Sequence, residues 1–528
     1  MLFRSPDIRD TFPVLDSNPD FAWPGLTAET GADPGNGAPR LTRPFLQGYG
    51  VGGSSNINGM VADRGVPNDY DEWRDYGVQG WSWNDVLPYF RKLERDLDFS
   101  GPLHGHQGPM PVRRVAQADW APFSRAAMHA LNRRGFPLIE DFNADFRDGV
   151  SACAMNCLPE QRVSASMAYL TKAVRARQNL AILPNTAVER LAVRQNRVSG
   201  VRVRANSSST DFQAREIIVA CGALQSPAVL MRSGIGPGEH LRSLGIEVAR
   251  DSPGVGRRLQ NHAMIGIVAH LPKTAMQPRE NRPWVQNLLR YSSQLAGCSE
   301  HDMLMIPLNK VAWHPVGLRT GGMLVEVHKP YSMGFVELAR ADPGITPQIH
   351  FNLLTDRRDV ERLVGGLRLA LEILDDQEVR GVRNEVFLPN GDIIARIAER
   401  SAWNWWQAWA ITKVFDQPLL RRRLLGRSAL NVRAFAQDEA AMRNFVHLAA
   451  QPVYHPCGTC RMGNTHTPGA VVDSDCRVLG MDGLRVVDAS IFPTIPSGSL
   501  HFPVLMAAEK VADRIKEQWQ ASPAASST

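Results

Sequence analysis

Cysteine is scarce in this chain, and so are long apolar runs and charge of a single sign. Seven cysteines among 528 residues (Cys153, Cys157, Cys221, Cys298, Cys457, Cys460 and Cys476) make an odd and sparse set. Disulfide-stapled secreted domains carry far more. No disulfide framework is expected, and a reducing, cytoplasmic compartment is. No stretch stays apolar long enough to span a bilayer. The opening MLFRSPDIRD has no apolar centre of signal-peptide type. The 59 basic and 53 acidic side chains leave a net charge of only +6, which calls for no nucleic-acid partner. The one dense basic run, Arg421, Arg422, Arg423 and Arg427, reads as a solvated loop or helix face. Hydrolase and metalloprotease signatures are missing too, since the chain has neither GxSxG nor HExxH. Cys457-Gly-Thr-Cys460 has no second CxxC to complete four zinc ligands and no thioredoxin-like surroundings. No metal site is expected, and these two read as packed thiols.

What remains is a globular chain, 44% hydrophobic and 21% charged, long enough for two or three domain-sized units. Residues 1–47 are rich in Pro, Gly, Asp and Asn and read as a loop-rich arm. A glycine-dense stretch, GYGVGGSSNINGMV, fills 48–61. Helices are expected over 81–98, capped at Ser82 or Asn84, and over 119–135. SASMAYLTKAVRA is helical, whereas NLAILPNT, AVERLAVRQ and VSGVRVRA read as short β runs. EIIVACGAL has the pattern of a buried strand ending at a glycine, with a helix start at Ser226-Pro227. Residues 270–440 differ in texture and hold WNWWQAW (Trp403, Trp405, Trp406, Trp409), which reads more simply as a helix packed on the core than as the wall of an aromatic pocket. LRVVDAS and an amphipathic helix in PVLMAAEKVADRIKEQW complete the chain, and the tail 521–528 is expected to be disordered.

Gly48, Gly50 and Gly53 formally match GxGxxG, but the preceding RLTRPFLQ is no hydrophobic strand, so the required context fails. The stretch is either a plain turn or a glycine loop that feeds a helix N-terminus through Ser54 and Ser55 and offers backbone N–H groups to a ligand. His455 and His501 are singled out by the company they keep. Taken alone, each would read as a packed structural histidine.

Three groups of segments together resemble the glucose–methanol–choline oxidoreductases. They are GVGGSSNINGMVADRGVPNDYDEW with GWSWNDVLPYFRKLE; IIVACGALQSPAVLMRSGIGP with PGVGRRLQNH; and YHPCGTCRMG with VVDSDCRVLGMDGLRVVDASIFPTIPSG and PVLMAAEKVAD. DRGVPNDYDEW and PLHGHQGPMPV are most similar to the branches that oxidise furan and aryl alcohols. The resemblance implies an α/β (α+β two-domain) fold. A discontinuous Rossmann-like FAD-binding domain would take 1–75, 150–270 and 445–520. A substrate-binding cap with an antiparallel sheet and helices would take 76–149 and 271–444. It further implies non-covalent FAD, because Ile57 stands where some members carry a flavin-linking histidine. Gly52, Gly53, Asn58, Gly59, Met60 and Val61 would cover diphosphate and flavin. The Val188 backbone would meet the adenine, Asp488 and Ala489 the ribityl and diphosphate, and backbone around Phe502 and Pro503 the flavin ring. His455 matches the family's base. His501 takes the partner position, where the furan-alcohol oxidisers resemble Asn instead.

The implied reaction is oxidation of a small primary alcohol, of aryl or furan type, with oxygen or another electron acceptor downstream. Flavin takes a hydride but not the hydroxyl proton. A neutral imidazole, with an unperturbed pKa of about 6.5, suits the latter task. A second side chain, His501, can hold the substrate oxygen so that its carbon faces the flavin. Two alternatives stay open: a hydroxynitrile lyase with a redox-silent flavin, and an inactive or merely binding member. The family opens with a strand, a true GxGxxG turn, a helix and a strand ending in an acidic residue. Met1 falls past that point, so the expected fold lacks its first βαβ unit and leaves neighbouring strand edges bare. A wrong start site or a fragment is the favoured explanation.

Overall fold

Two short segments far apart in the chain pair in parallel, Ile217–Val219 with Leu484–Val486, in register Ile217↔Leu484, Ile218↔Arg485 and Val219↔Val486. In the computed structural model, which describes residues 19–31, 41–206, 208–278, 282–388 and 400–521, this pair is the seed of the cofactor-type α/β unit. The first strand turns at Gly222, whose φ of +82° suits glycine, into the helix Gly222–Arg232, buried along Leu224, Val229, Leu230 and Met231. The Asp488 carboxylate holds that turn by accepting from the Gly222 N–H (2.9 Å), the Ser226 hydroxyl and the Ser490 N–H (2.8 Å). Ile218 is 48% exposed, so one side of the two-stranded pair is bare.

Beside it lies an antiparallel sheet with Arg197–Ala205 between Thr186–Arg194 and Ser208–Gln213. Gln195 and Asn196, both at positive φ, make the two-residue hairpin that sets its register. NLAILPNT is no strand before Thr186. Pro184 cannot donate to a ladder, and Leu180, Ile182 and Leu183 are left exposed. SASMAYLTKAVRA is two short helices, Ala165–Tyr169 and Lys172–Arg175, capped by Ser164 and Thr171.

The largest sheet runs Val386–Phe387, Ala263–His270, Thr320–Val327, Met303–Leu308, Asn287–Tyr291, Gly149–Ala152, with Gln451–Pro452 added beside Ala263–His270. It is antiparallel throughout, and Met303–Leu308 is buried at every position. The helix Arg357–Asp375 shares its core through Leu363, Leu367, Leu371 and Leu374. The expected cap sheet is thus present, but with different edges. Gly149–Ala152, Ala263–His270 and Gln451–Pro452 fall in segments assigned from sequence largely to the FAD domain, because ladder partners, not chain position, decide membership.

The helix Trp83–Leu93 also crosses the expected boundary. Asp85 accepts from the Ser82 N–H (3.0 Å) and hydroxyl (2.6 Å) at its start. Its Trp83, Phe90 and Leu93 join the core that holds Cys457, Val486 and Phe492 rather than the cap's. The terminal helix His501–Ala521 lies against it, tied by Lys92 to Asp513 at 2.6 Å. The tryptophan helix Ala402–Phe415 does not pack as expected. Only Ala408 and Phe415 are buried, while Trp403 is 70% and Trp406 57% exposed. Of the arginine run, Arg422 and Arg423 are exposed as expected, whereas Arg421 is buried against Glu385. Among the described residues no helix is long and apolar enough to cross a membrane. Residues 522–528 of the expected tail lie outside the described residues.

Candidate active site

The glycine stretch folds onto itself before it reaches any partner. A Cβ on Gly48 would fall 2.4 Å from the Gly53 carbonyl oxygen, so only glycine permits the closure. The Gly48 N–H donates to Ser54 Oγ (3.0 Å), Ser55 Oγ to the Gly52 carbonyl (2.5 Å) and Asn56 Nδ2 to the Val51 carbonyl (2.9 Å). These local bonds compete with a helix, and the chain makes the single 3-10 turn Gly53–Asn56, with no longer helix after it. Beyond it, the buried Arg162 donates to the Asn58 carbonyl (2.9 Å) and Asn58 Oδ1 (3.1 Å). Trp284 Nε1 donates to the Gly59 carbonyl (3.1 Å). Met60 is fully buried, and Gly52, Gly53, Asn58, Gly59 and Val61 are half-buried.

His455 hangs from the other end of the molecule's connectivity. Its N–H donates to Asn261 Oδ1 (2.9 Å), and Cys457 exchanges backbone bonds with Gln260. Gly458, Cys460 and Met462 then donate to the carbonyls of Ala489, Ser490 and Ile491. The histidine segment is thereby laid along the turn after Leu484–Val486, at the carboxyl ends of the parallel pair, where open α/β sheets bind ligands. His501 opens the terminal helix, with buried Phe502 and Pro503 next to it in the first turn. No hydrogen bond joins His455 to His501. His455 instead meets His262, whose Nδ1 lies 3.0 Å from His455 Nδ1 and whose Nε2 lies 3.1 Å from the carbonyl oxygen of Pro496.

Burial, with His328 nearby, pushes the His455 imidazole down to about 3. Burial, with Arg162 nearby, pushes His501 down to about 4. Both rings are neutral at physiological pH. Each residue nevertheless keeps some contact with solvent, and His501 Nε2 has no protein partner. Asp488 is buried with its carboxylate already committed to protein N–H and hydroxyl groups, and Ala489 beside it is half-buried. Val188 lies on Thr186–Arg194, the edge strand of its sheet. Cys457 and Cys460 are buried and unbonded, with their thiols pushed up by burial, as expected of packed thiols.

Sequence reasoning missed His262, His328 and Glu326. His262 stacks on His328 with centroids 4.5 Å apart and planes at 14°, and His328 Nε2 reaches Glu326 Oε2 at 3.2 Å. The signal was there in GRRLQNH, but its partners lie far along the chain. The three could be read as metal ligands. Parallel stacked imidazoles aim their in-plane lone pairs side by side rather than at one point, which opposes chelation. A second cluster, Glu94, Asp96 and His104, is committed to charge pairing: Arg64 meets Glu94, Arg114 meets Asp96 at 3.0 Å, and His104 meets Asp96 at 3.1 Å and Asp141 at 2.8 Å.

Residues 36–264 and 330–508 match the N- and C-terminal family models described as GMC oxidoreductase. The chain is 39% identical over 520 residues to 5-(hydroxymethyl)furfural oxidase of Methylovorus sp. (strain MP688), covering 97% of this chain and 90% of that one. It is 31% identical over 540 residues to an oxygen-dependent choline dehydrogenase of Rhizobium johnstonii, covering 96% and 89%. Among solved structures, pyridoxine 4-oxidase from Mesorbium loti superposes with a TM-score of 0.80 at 28% identity, over 97% of this chain and 92% of that one. Formate oxidase superposes with a TM-score of 0.81 at 22% identity, covering 98% and 92%, and shares the fold.

Proposed function

Because the chain belongs to the GMC oxidoreductase family, FAD-binding enzymes that oxidise alcohols, we propose that it converts a primary alcohol of aryl or furan type to the aldehyde, with His455 as base and His501 as holder of the substrate oxygen. The observation that carries this reading is the pair of neutral imidazoles. His455 is anchored at the carboxyl ends of the parallel strands, and His501 keeps an unpartnered Nε2. The likeness to 5-(hydroxymethyl)furfural oxidase, greater than that to choline dehydrogenase, supports the substrate class.

The residues present fit the cofactor. Gly53 has no atom within 4 Å of the place a Cβ would take, so its backbone faces open space, and the strand of Val188 is an edge strand that pairs with one other strand among the described residues. Gly52, Gly53, Asn58, Gly59, Met60 and Val61 would hold the diphosphate and flavin, with Arg162 clamping the loop from behind. Val188 would offer backbone to the adenine. Asp488 would act through the Gly222 and Ser490 backbone that it fixes, beside Ala489, and the backbone of Phe502 and Pro503 would approach the ring. FAD, when bound, supplies the two-electron acceptor for the hydride.

His501 Nε2 would receive the carbinol oxygen and set its carbon. His455 would take the hydroxyl proton as the C–H bond breaks, and the same burial that keeps it neutral makes it ready at pH 7. The cofactor side of the fold corresponds to the core of Trp83, Val486 and Phe492, and the substrate cap to the seven-stranded sheet with Arg357–Asp375. The free cysteines support a cytoplasmic setting, and oxygen or another acceptor would re-oxidise the flavin.

Anaerobic mixing of the FAD-loaded protein with benzyl alcohol or 5-(hydroxymethyl)furfural bleaches the flavin in this reading. His455→Ala slows that bleaching by about 10²–10⁴-fold. Wild-type bleaching rates in His455→Ala, or cyanide release from a cyanohydrin without bleaching by any alcohol, would overturn it.

A further inference from the structure

His262 is enclosed by groups that leave its ring one arrangement. Its Nε2 sits 3.1 Å from the Pro496 carbonyl oxygen, its Nδ1 sits 3.0 Å from Nδ1 of His455, and one face is stacked on His328. A carbonyl oxygen only accepts, so the first contact is a hydrogen bond only when His262 Nε2 carries its proton. Burial first, then the neighbouring His328, His455 and Lys329, hold His262 well below the ordinary imidazole range, so the ring is neutral and has a single N–H. Its Nδ1 is then a bare acceptor. The approach of the two Nδ1 atoms is a hydrogen bond only if His455 carries its own proton on Nδ1. A neutral His455 so protonated has its free lone pair on Nε2.

We propose that His262 is the positioning residue that locks His455 in the Nδ1–H tautomer, so that Nε2 of His455 is the atom that receives the alcohol proton. The proposal rests on the reading of His455 as base and adds which nitrogen does the work and what selects it. The opposite tautomer of His455 would set two lone pairs face to face, or force His262 to turn its bare nitrogen on Pro496. Either leaves buried polar groups unpaired. When His455 takes the proton, its Nδ1–H still donates to His262, so the imidazolium keeps an acceptor.

The surroundings make this arrangement stiff. Gln260, Asn261 and His262 are consecutive and each grips a loop of the site. Gln260 Oε1 accepts from the Ile495 N–H (3.1 Å), Asn261 Oδ1 accepts from the His455 N–H (2.9 Å), and His262 spans Pro496 and His455. The Pro496 loop is fixed on its far side. Ser497 donates from N and Oγ to Asp69 Oδ2 (2.9 and 2.6 Å), Ser499 N to Asp63 Oδ1 (2.7 Å), and Lys329 Nζ to the Ile495 carbonyl (3.0 Å).

The test uses the FAD-loaded, ¹⁵N-histidine-labelled protein and two-bond ¹H–¹⁵N spectra, with His455→Gln and His262→Gln assigning the resonances. His455 is expected to be protonated at Nδ1 and His262 at Nε2, and a His455 protonated at Nε2 overturns the proposal. His262→Phe keeps a ring against His328 and removes the acceptor. Flavin reduction at saturating benzyl alcohol should fall by about 10–100-fold, with the alcohol's dissociation constant and the flavin absorbance unchanged. His262→Gln, whose amide oxygen can accept from His455 Nδ1, should recover part of the loss. Reduction at the wild-type rate in His262→Phe overturns the proposal. If His262→Phe does not fold, the wild-type spectra and the glutamine variant still decide. Full activity in His455→Ala instead refutes the base assignment alone, since the spectra judge the histidine pair independently.

Discussion

Trp73, Trp81 and Trp83 sit in one tryptophan-rich stretch of the chain, and Trp403, Trp405, Trp406 and Trp409 in another. In the first, Trp73 and Trp81 are buried and their indole N–H groups donate to Thr494 Oγ1 (3.1 Å) and the Ser474 carbonyl (2.9 Å), acceptors some four hundred residues away. The Trp73 ring meets Tyr70 and Phe492 at 5.2 and 5.3 Å. In the second, the tryptophans touch mainly one another, Trp405 with Trp406 at 5.2 Å and Trp406 with Trp409 at 5.6 Å, and Lys413 covers Trp409. A large apolar side chain is buried when distant segments supply both a surface and a hydrogen-bond partner. Among the described residues no such partner reaches the second group, and it stays at the surface. A helix apolar on all sides has no polar face to announce which way it turns.

The sharpest way to break this comparison is truncation. Trp73→Ala should cost about 3–5 kcal/mol in denaturant unfolding. Trp403→Ser, by contrast, should change stability by no more than about 0.5 kcal/mol while lowering acrylamide-quenchable fluorescence. Equal losses in the two variants would erase the distinction.

Between these extremes lies an effect of pH confined to the buried region. Burial alone would lower the His104 pKa, but its contacts with Asp141, Asp96 and Glu94 outweigh that and hold it up to about 10. The unfolded chain titrates near the ordinary value of about 6.5. The stabilisation is therefore complete below pH of about 6.5 and fades as pH rises toward 10. Denaturation midpoints measured at pH 6.5 and 9.5 should fall with rising pH in the wild type and fall less in His104→Gln. An equal slope in both would show that His104 is not the group responsible.

Locally encoded features were legible in the sequence. Ser82, one of the two caps the sequence offered, starts Trp83–Leu93, and EIIVACGAL holds the strand and glycine turn, but the helix begins at Gly222 itself, so that Ser226 and Pro227, the expected start, lie inside it. His455 was singled out inside YHPCGTCRMG and His501 between TIPSG and PVLMAAEKVAD, both by their neighbours in the sequence. Long-range pairing was not legible. Nothing in LPNT says that no strand comes to meet it, and nothing in QNH says that His262 meets an imidazole 193 residues away. Sheet membership was not legible for the same reason, since Ala263–His270 takes its place from Thr320–Val327 rather than from its chain neighbours. The glycine stretch left two readings open, a turn or a loop feeding a helix, and local bonds decide between them. Its serine and asparagine side chains satisfy the local backbone and halt the helix after one turn.

The Asp488 carboxylate has a consequence for biosynthesis. It joins the start of Gly222–Arg232 to the turn after a strand far later in the chain, Gly222 and Asp488 being 266 positions apart. On the ribosome, the first parallel strand has no partner until the intervening residues have been made. The histidine segment, which leans on the same final turn, waits with it. The interval with Ile217–Val219 unpaired is one in which the nascent chain is open to aggregation.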